Sequence, residues 1–172
     1  MIKTLECIEE AIITVRKKVM EILNLKSEFV LNGESVRGVE LVKILQGQEI
    51  PLHNEDVIVV FYVNDTEDIN VVQGDETCQS FNFHVIIYGN RCRKFSSKLR
   101  TNLYSEYIRS ELGENGVELL NVSTPENTSE FIGNATYVLR SDLDILLNCV
   151  IKNKEVKEIN SIEELNVSYE IN

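Results

Sequence analysis

Two apolar stretches decide the fold: VIVVFYV at residues 57–63 and FNFHVIIY at residues 81–88. Both are rich in β-branched and aromatic side chains, and clusters of Asp, Asn and Gly bound them, which is typical of β-strands. The segment between them is long enough for an antiparallel return. We therefore predict two paired strands at the centre of the fold.

The alternation of side chains predicts how these strands are covered. Successive side chains of a strand point to opposite faces, and the first stretch is apolar on both faces, so it should be a central, covered strand. In the second stretch Asn82 and His84 interrupt one face near its start. We expect that part of the face to meet solvent or a partner.

Two helices are predicted to flank the strands. The first has one apolar stripe with steps of three and four residues, acidic residues at 6, 9 and 10 near its start, and basic residues at 16–18 toward its end. The second is expected to run from about Arg91 to Leu112 and to end at Gly113. The apolar stripe of the first helix consists of Leu5, Ile8, Ile12, Val15, Val19 and Ile22. The outer face of the second should carry Arg91, Arg93, Lys94, Lys98, Arg100 and Arg109.

The secondary structure of the segments between these elements is less clearly indicated by the sequence. Asn32 and Gly33 form a turn dipeptide after a possible short strand at 28–31, and residues 39–45 fit either a helix or a strand. Residues 64–80 are interpreted as an acidic loop at the tip of a hairpin. The register of its acidic residues does not fit a calcium loop.

The last third of the chain predicts a short strand at 117–122, a polar loop at 123–134 and a long strand at 135–151. That long strand should pair with the first two, and Arg140 could form an ion pair with Asp142 or Asp144 on its outer face. Residues 153–172 are acidic and are expected to form a short helix followed by an extended arm.

Together these elements predict one α+β domain at residues 1–152 and a C-terminal acidic arm at 153–172. The sheet should be mostly antiparallel with about four strands, and the two main helices should pack on one face. The 172 residues carry 28 acidic and 17 basic side chains, a net charge of −11, which disfavours tight binding to nucleic acid. No secretory signal and no membrane-spanning run is recognised, so we expect a cytoplasmic protein.

The sequence contains few residues in the patterns that indicate catalysis or metal binding. The two histidines, His53 and His84, and the four cysteines lack the spacing of metal ligands, and the cysteines are expected to be reduced thiols. No nucleophile elbow or phosphate-binding glycine loop is present. Asp142 and Asp144 could act as paired carboxylates, but pairing with Arg140 is the favoured interpretation. We predict no catalytic residue, no cofactor and no metal.

Four stretches, in this order of elements, resemble the tail-terminator (neck-terminator) proteins of long-tailed bacteriophages. They are GQEIP at 47–51, DVIVVFYV at 56–63, FNFHVIIYGN at 81–90 and YVLRSDLDILLN at 137–148. The likeness covers roughly residues 1–152. The long acidic loop at 64–80 and the C-terminal arm are departures from the family pattern.

The resemblance implies a structural virion protein that forms a hexameric ring, caps the head-proximal end of the tail tube and joins it to the head-tail connector. Its partners would be copies of itself, the tube or sheath protein and the connector, with DNA passing through without tight binding. It would reside in the virion neck and, during assembly, in the host cytoplasm. We expect Arg93, Lys94 and Lys98 to contribute to subunit contacts.

Three alternatives stay open. The first is another head-tail adaptor or a tail-completion protein. The second is a bacterial ligand-binding module or a small hydrolase that uses His84 with Asp142 or Asp144. The third is an interaction domain with an unknown partner.

Overall fold

The computed structural model describes residues 3–36, 38–49, 52–53, 56–73, 76–132 and 137–152, with the backbone alone at 65–73. The arm predicted at 153–172 lies outside these ranges, and so do Ile50 and Pro51 of the GQEIP stretch. Within them the chain folds as an α+β protein, which confirms the predicted class.

A mixed sheet of six strands forms the middle layer of the described structure. The spatial order is β1-β2-β3-β6-β4, and β5 also pairs with β6. Strand β1 is parallel to β2, and the other pairings are antiparallel. The strands are β1 (Val30–Asn32), β2 (Ile58–Gln73), β3 (Glu76–Tyr88), β4 (Val117–Val122), β5 (Glu126–Phe131) and β6 (Tyr137–Lys152). The sheet therefore has two strands more than predicted.

The central pair of strands has the predicted faces. In the register of β2 and β3, Phe61 lies opposite Val85 and Tyr62 opposite His84. The Phe61 and Phe83 rings stack with centroids 4.7 Å apart on the more deeply buried face. Such a pair contributes about 0.5–1.5 kcal/mol beyond the burial of its area.

Helices cover both faces of the sheet, whereas two helices on one face were predicted. They are α1 (Ile8–Leu23), α2 (Gly38–Leu45), α3 (Cys92–Leu103) and α4 (Glu106–Glu114). Helices α1, α3 and α4 share one core with the sheet. Helix α2 packs on the opposite face, where Ile44 joins Ile58, Val60 and Ile86. The ambiguous stretch 39–45 is thus a helix, buried on one side only.

The prediction of a single long helix after Asn90 is wrong, because this stretch forms two helices, α3 and α4. Ser105 has extended backbone angles, and its hydroxyl accepts a hydrogen bond from the Ile108 N–H at 3.4 Å, which caps the start of α4. Gly113 does not end the helix, since α4 continues to Glu114. Both helices bury apolar side chains in the same core, so the helical spacing of apolar residues continues across the break and does not reveal it.

Two predicted loops contain strands. The acidic segment at 64–80 is largely β-structure: Ile69 pairs with Cys78, and Gln73 with Glu76, with register shifts in between. The polar segment at 123–134 contains β5, whose side chains are mostly exposed. Backbone pairing with a neighbouring strand places both segments in the sheet, and in β5 it does so with mostly exposed side chains.

The other strands of the C-terminal half are close to the prediction. Strand β4 has the predicted bounds, and β6 has nearly the predicted length. Strand β6 pairs with β3, β4 and β5, so the expectation that it pairs with both central strands is wrong for β2. One face of β6 is buried from Ser141 to Cys149, as the alternation predicted.

Helix α1 differs from the prediction at both ends. Leu5 lies outside the helix, where its N–H donates to Val150 O at 2.8 Å and its carbonyl accepts from the Lys152 N–H at 3.0 Å. The helix continues to Leu23, so the basic residues at 16–18 precede its last turn. One of them, Lys18, contacts Glu111 of α4 at 2.7 Å and ties the two helices together.

Gly89 permits the turn between β3 and α3. Its φ is +123°, and a Cβ there would lie 2.7 Å from the Asp56 carbonyl oxygen. We predict that Gly89→Ala lowers the free energy of unfolding by about 1–3 kcal/mol because it combines backbone strain with a clash. Urea unfolding followed by circular dichroism measures this.

Gly113 is the matched control for that substitution. It lies within α4, and nothing lies within 4 Å of the position of an added Cβ. Gly113→Ala should therefore raise the free energy of unfolding by about 0.5–1 kcal/mol. Equal effects of the two substitutions would contradict the assigned turn.

Candidate interaction surface

Helix α3 presents three basic side chains to solvent. It buries Cys92, Ser96, Leu99 and Leu103 against the sheet. Arg93, Lys94 and Lys98 are exposed on the other side, which we call the basic stripe. Among the described residues, none of the three forms an ion pair with a carboxylate, so their charges are directed outward.

The local charge on α3 is unlike that of the rest of the chain. Residues 89–104 contain five basic residues and no acidic one, although the whole chain carries −11. The first turn of the helix has no acidic side chain, and no side chain caps it. Cations near a helix N-terminus are destabilising by about 0.3–1 kcal/mol each, because they repel the positive end of the helix dipole. The stripe therefore adds no stability through the dipole.

The six basic residues predicted for one helix face do not share a surface. Arg109 belongs to α4. Arg100 is half-buried, its guanidinium lies 5.5 Å from the centre of the Tyr104 ring, and its Nε is buried without a hydrogen-bond partner in the described structure. Arg91 precedes α3 and is only partly exposed. The exposed basic residues within α3 therefore reduce to the basic stripe.

Two hydrogen bonds hold the start of α3, which carries the basic stripe, against the sheet. The Ser141 hydroxyl of β6 donates to the Ser96 hydroxyl of α3 at 2.8 Å, and both residues are fully buried. The Gly89 N–H donates to the Leu139 carbonyl at 2.9 Å, just before α3 begins. These two contacts fix the start of the helix over β6.

The outer face of β6 carries the predicted ion pair. The Arg140 guanidinium binds Asp142 with two nitrogens and Glu130 of β5 at 2.6 Å, so the partner of Arg140 is Asp142 and not Asp144. The Tyr88 hydroxyl donates to Glu130 at 2.9 Å. Burial, and then this contact with a carboxylate, raise the pKa of Tyr88. The cluster joins β3, β5 and β6 through side chains, and its one cation contacts both of its carboxylates.

His84 and Asp144 form a second polar pair on the same face. His84 Nδ1 lies 2.8 Å from Asp144 Oδ1, and the Asn82 amide donates to the same oxygen at 2.9 Å. Partial burial would raise the pKa of Asp144, but the hydrogen bonds from Asn82 and His84 outweigh it and lower the pKa below its ordinary value. Asp144 is thus held as a carboxylate.

Within the described residues, the pair is not joined by the third member that a hydrolase would need. Among the described side chains, no hydroxyl or thiol bonds the second ring nitrogen of His84. The hydroxyl of Ser123 instead accepts from the Asp144 backbone N–H at 2.8 Å. Asp142, the other partner considered for His84, is engaged with Arg140. The arrangement joins a loop and two strands, and the described side chains place no nucleophile on His84.

The cysteines and the cavities add no reactive centre within the described ranges. All four thiols are free, and Cys92 and Cys149 are buried. Burial raises the pKa of the Cys149 thiol to about 11, so it stays protonated. An open groove of about 620 Å³ lies between α4 and β4 and is lined by residues such as Tyr104, Arg109 and Glu118. The described residues contain no group of three or more potential ligands that could hold a metal ion.

No helix in the described part of the chain is long and apolar enough to cross a membrane.

The fold and its surfaces define a small α+β protein with a rigidly held, outward-facing basic helix. The family model of the phage neck terminator protein matches residues 33–172, and the chain belongs to that family of structural proteins of the phage neck. No curated protein matches the sequence. The family match confirms the resemblance drawn from the sequence.

The matched range corrects one detail of that resemblance. The C-terminal arm was interpreted as a departure from the family pattern, but the match continues through residues 153–172. The family match starts after α1 and β1. Residues 153–172 therefore lie within the range that the family model matches.

The lowered pKa of Asp144 predicts a pH dependence of stability. Because the pKa is lower in the folded state than its ordinary value of 3.8, the carboxylate stabilises the fold above about pH 4 and this contribution is lost as the pH falls further. We expect the unfolding free energy of the wild type to fall more steeply between pH 5 and pH 3 than that of Asp144→Asn. Urea titrations at the two pH values measure the difference.

Glu114→Gln, which removes an exposed carboxylate at the end of α4, is the control for net charge. It should follow the wild-type curve. Parallel curves for the wild type and Asp144→Asn would show that the contacts of Asp144 do not favour its ionised form.

Proposed function

We propose that this protein is a tail terminator that assembles as a hexameric ring on the head-proximal end of a phage tail tube and joins the tube to the head-tail connector. The observation that carries the proposal is the basic stripe of α3, exposed and without a described partner in an acidic chain. Membership of the neck terminator family supports the location, since that family belongs to the virion neck.

The net charge suits a ring through which a genome passes. Tight binding to DNA requires cationic contacts to many phosphates, and a chain with a charge of −11 repels the polyanion on average. A ring of such subunits would let DNA slide without holding it. The few exposed cations of α3 are then available for protein contacts.

The stripe also suits a repeating contact between identical subunits. Subunits in a ring meet through two different, complementary surfaces, and each copy presents both. A basic surface on one side of the copy and an acidic surface elsewhere on the chain meet this requirement. Because the start of α3 is held by the buried Ser96–Ser141 contact, docking does not have to order the helix itself, and only the exposed side chains lose conformational freedom.

Charge reversal tests this contact. In Arg93→Glu/Lys94→Glu/Lys98→Glu we expect the oligomer to dissociate into monomers at concentrations where the wild type is assembled, a loss in affinity of roughly tenfold or more. Native mass spectrometry and light scattering measure the assembly, and circular dichroism verifies the fold.

The control variant reverses three exposed lysines on other elements, Lys17→Glu/Lys26→Glu/Lys43→Glu, and changes the net charge by the same amount. This variant should still assemble. A normal oligomer from the α3 variant, or equal loss in both variants, would remove the stripe from the interface.

Binding to purified phage parts tests the place in the virion. A tail terminator should bind isolated tail tubes at one end, visible by electron microscopy as a ring, and should not bind heads that carry the portal but lack the head-tail connector. Binding to the heads alone would instead identify a head-tail adaptor. A monomer that binds neither part would overturn both assignments.

A further inference from the structure

The tip of the β5–β6 hairpin exposes an apolar patch. Phe131, Tyr137 and Leu139 are 56%, 70% and 44% exposed, and the two rings lie 5.3 Å apart. Phe131 and Tyr137 are directly paired across the two strands, and Leu139 follows on the same face of β6. Three large apolar side chains on one exposed face are a feature of binding surfaces rather than of an isolated solvated tip.

This apolar patch adjoins the basic stripe. Ser141, the next residue of β6 on that face, contacts Ser96 of α3, and the Leu139 carbonyl accepts the Gly89 N–H just before the helix. The patch therefore continues the helix-bearing side of the sheet beyond the first turn of α3. The apolar patch and the basic stripe lie on the same side of the sheet, and we call the two together the docking surface.

The chain contains a segment with the complementary composition. Residues 153–172 include five glutamates and two lysines, a net charge of −3. The apolar residues interleaved with these charges are Val156, Ile159, Ile162, Leu165, Val167, Tyr169 and Ile171. Such a segment offers anions to the basic stripe and apolar side chains to the patch.

The starting point of this segment favours a contact between copies. Strand β6 ends at Lys152, opposite Glu76, whereas the patch lies at the other end of the same strand. Thirteen residues separate Leu139 from Lys152, about 43 Å at roughly 3.3 Å per residue. Reaching the patch of the same copy would use about two thirds of the roughly 66 Å that twenty extended residues can span. In a head-to-tail ring every docking surface can instead be filled by the adjacent copy.

We propose that residues 153–172 of one copy bind the docking surface of the next copy, formed by Phe131, Tyr137, Leu139 and the basic stripe of α3. The inference rests on the proposed ring, and it names the partner of the basic stripe as an acidic, apolar segment of the same chain.

Cross-linking of mixed labelled copies tests the contact. Full-length unlabelled and ¹⁵N-labelled chains are mixed, allowed to exchange, and treated with a carbodiimide that joins a carboxylate to a lysine amine without a spacer. We expect mixed-label peptides that join glutamates of residues 153–172 to Lys94 or Lys98. Links to Lys17, Lys26 and Lys43 should be several-fold fewer.

A second pair of full-length variants tests the apolar part. Tyr137→Ser should reduce the mixed-label links to Lys94 and Lys98 several-fold, because the exposed ring contributes to docking and not to the core. Val39→Ser, at a residue of α2 that is 71% exposed, is the matched control and should leave the links unchanged.

The outcomes separate this inference from the proposed function. An oligomer whose segment links only within one label, or equally to all exposed lysines, overturns the inference and leaves the ring in place. An unchanged yield in Tyr137→Ser removes the apolar patch from the docking surface. A chain that stays monomeric overturns the ring and the inference together.

Discussion

The pairing of β3 along both of its edges is the constraint on which the rest of the structure depends. Every residue of β3 from Glu76 to Tyr88 lies opposite a residue of β6, and most lie opposite a residue of β2. A slip of one residue would move Phe81 and Phe83 out of the larger core and bring polar side chains into it, so the register is strongly specified. That register places the Gly89 turn beside Leu139, and with it the start of α3 and the basic stripe.

Segments whose side chains alternate between core and solvent could be predicted from the sequence. The faces of β2 and β3, the bounds of β4 and the buried face of β6 follow from the two-residue period, because burial on a sheet imposes that period on the sequence. An ion pair of Arg140 with Asp142 or Asp144 follows from their spacing on one face, and the structure selects Asp142. The exposed positions of the basic stripe follow from the helical spacing around Cys92 and Leu99.

Features that depend on a distant partner could not be predicted in this way. Strand β5 has mostly exposed polar side chains, and only pairing with β6 makes it a strand. The sequence predicts a loop there, so it could not show that Phe131 lies exposed beside Tyr137. The break at Ser105 leaves the apolar periodicity intact, because α3 and α4 contribute to one core. The place of α2 on the second face depends on Ile44 meeting Ile58 and Val60, a contact between segments that no local pattern encodes.

The rims of the sheet have a consequence for how the free protein behaves at high concentration. On one side β1 covers only Val59, Val60 and Phe61 of β2, and the rest of β2 has no described partner along that edge. The other rim is divided between β4 and β5, six residues each and carrying glutamates such as Glu118 and Glu126. Short, charged rims are poor templates for an incoming strand of a second molecule. Backbone pairing between molecules is thereby suppressed at β4 and β5, whereas the edge of β2 beyond Phe61 lacks the protection of short length.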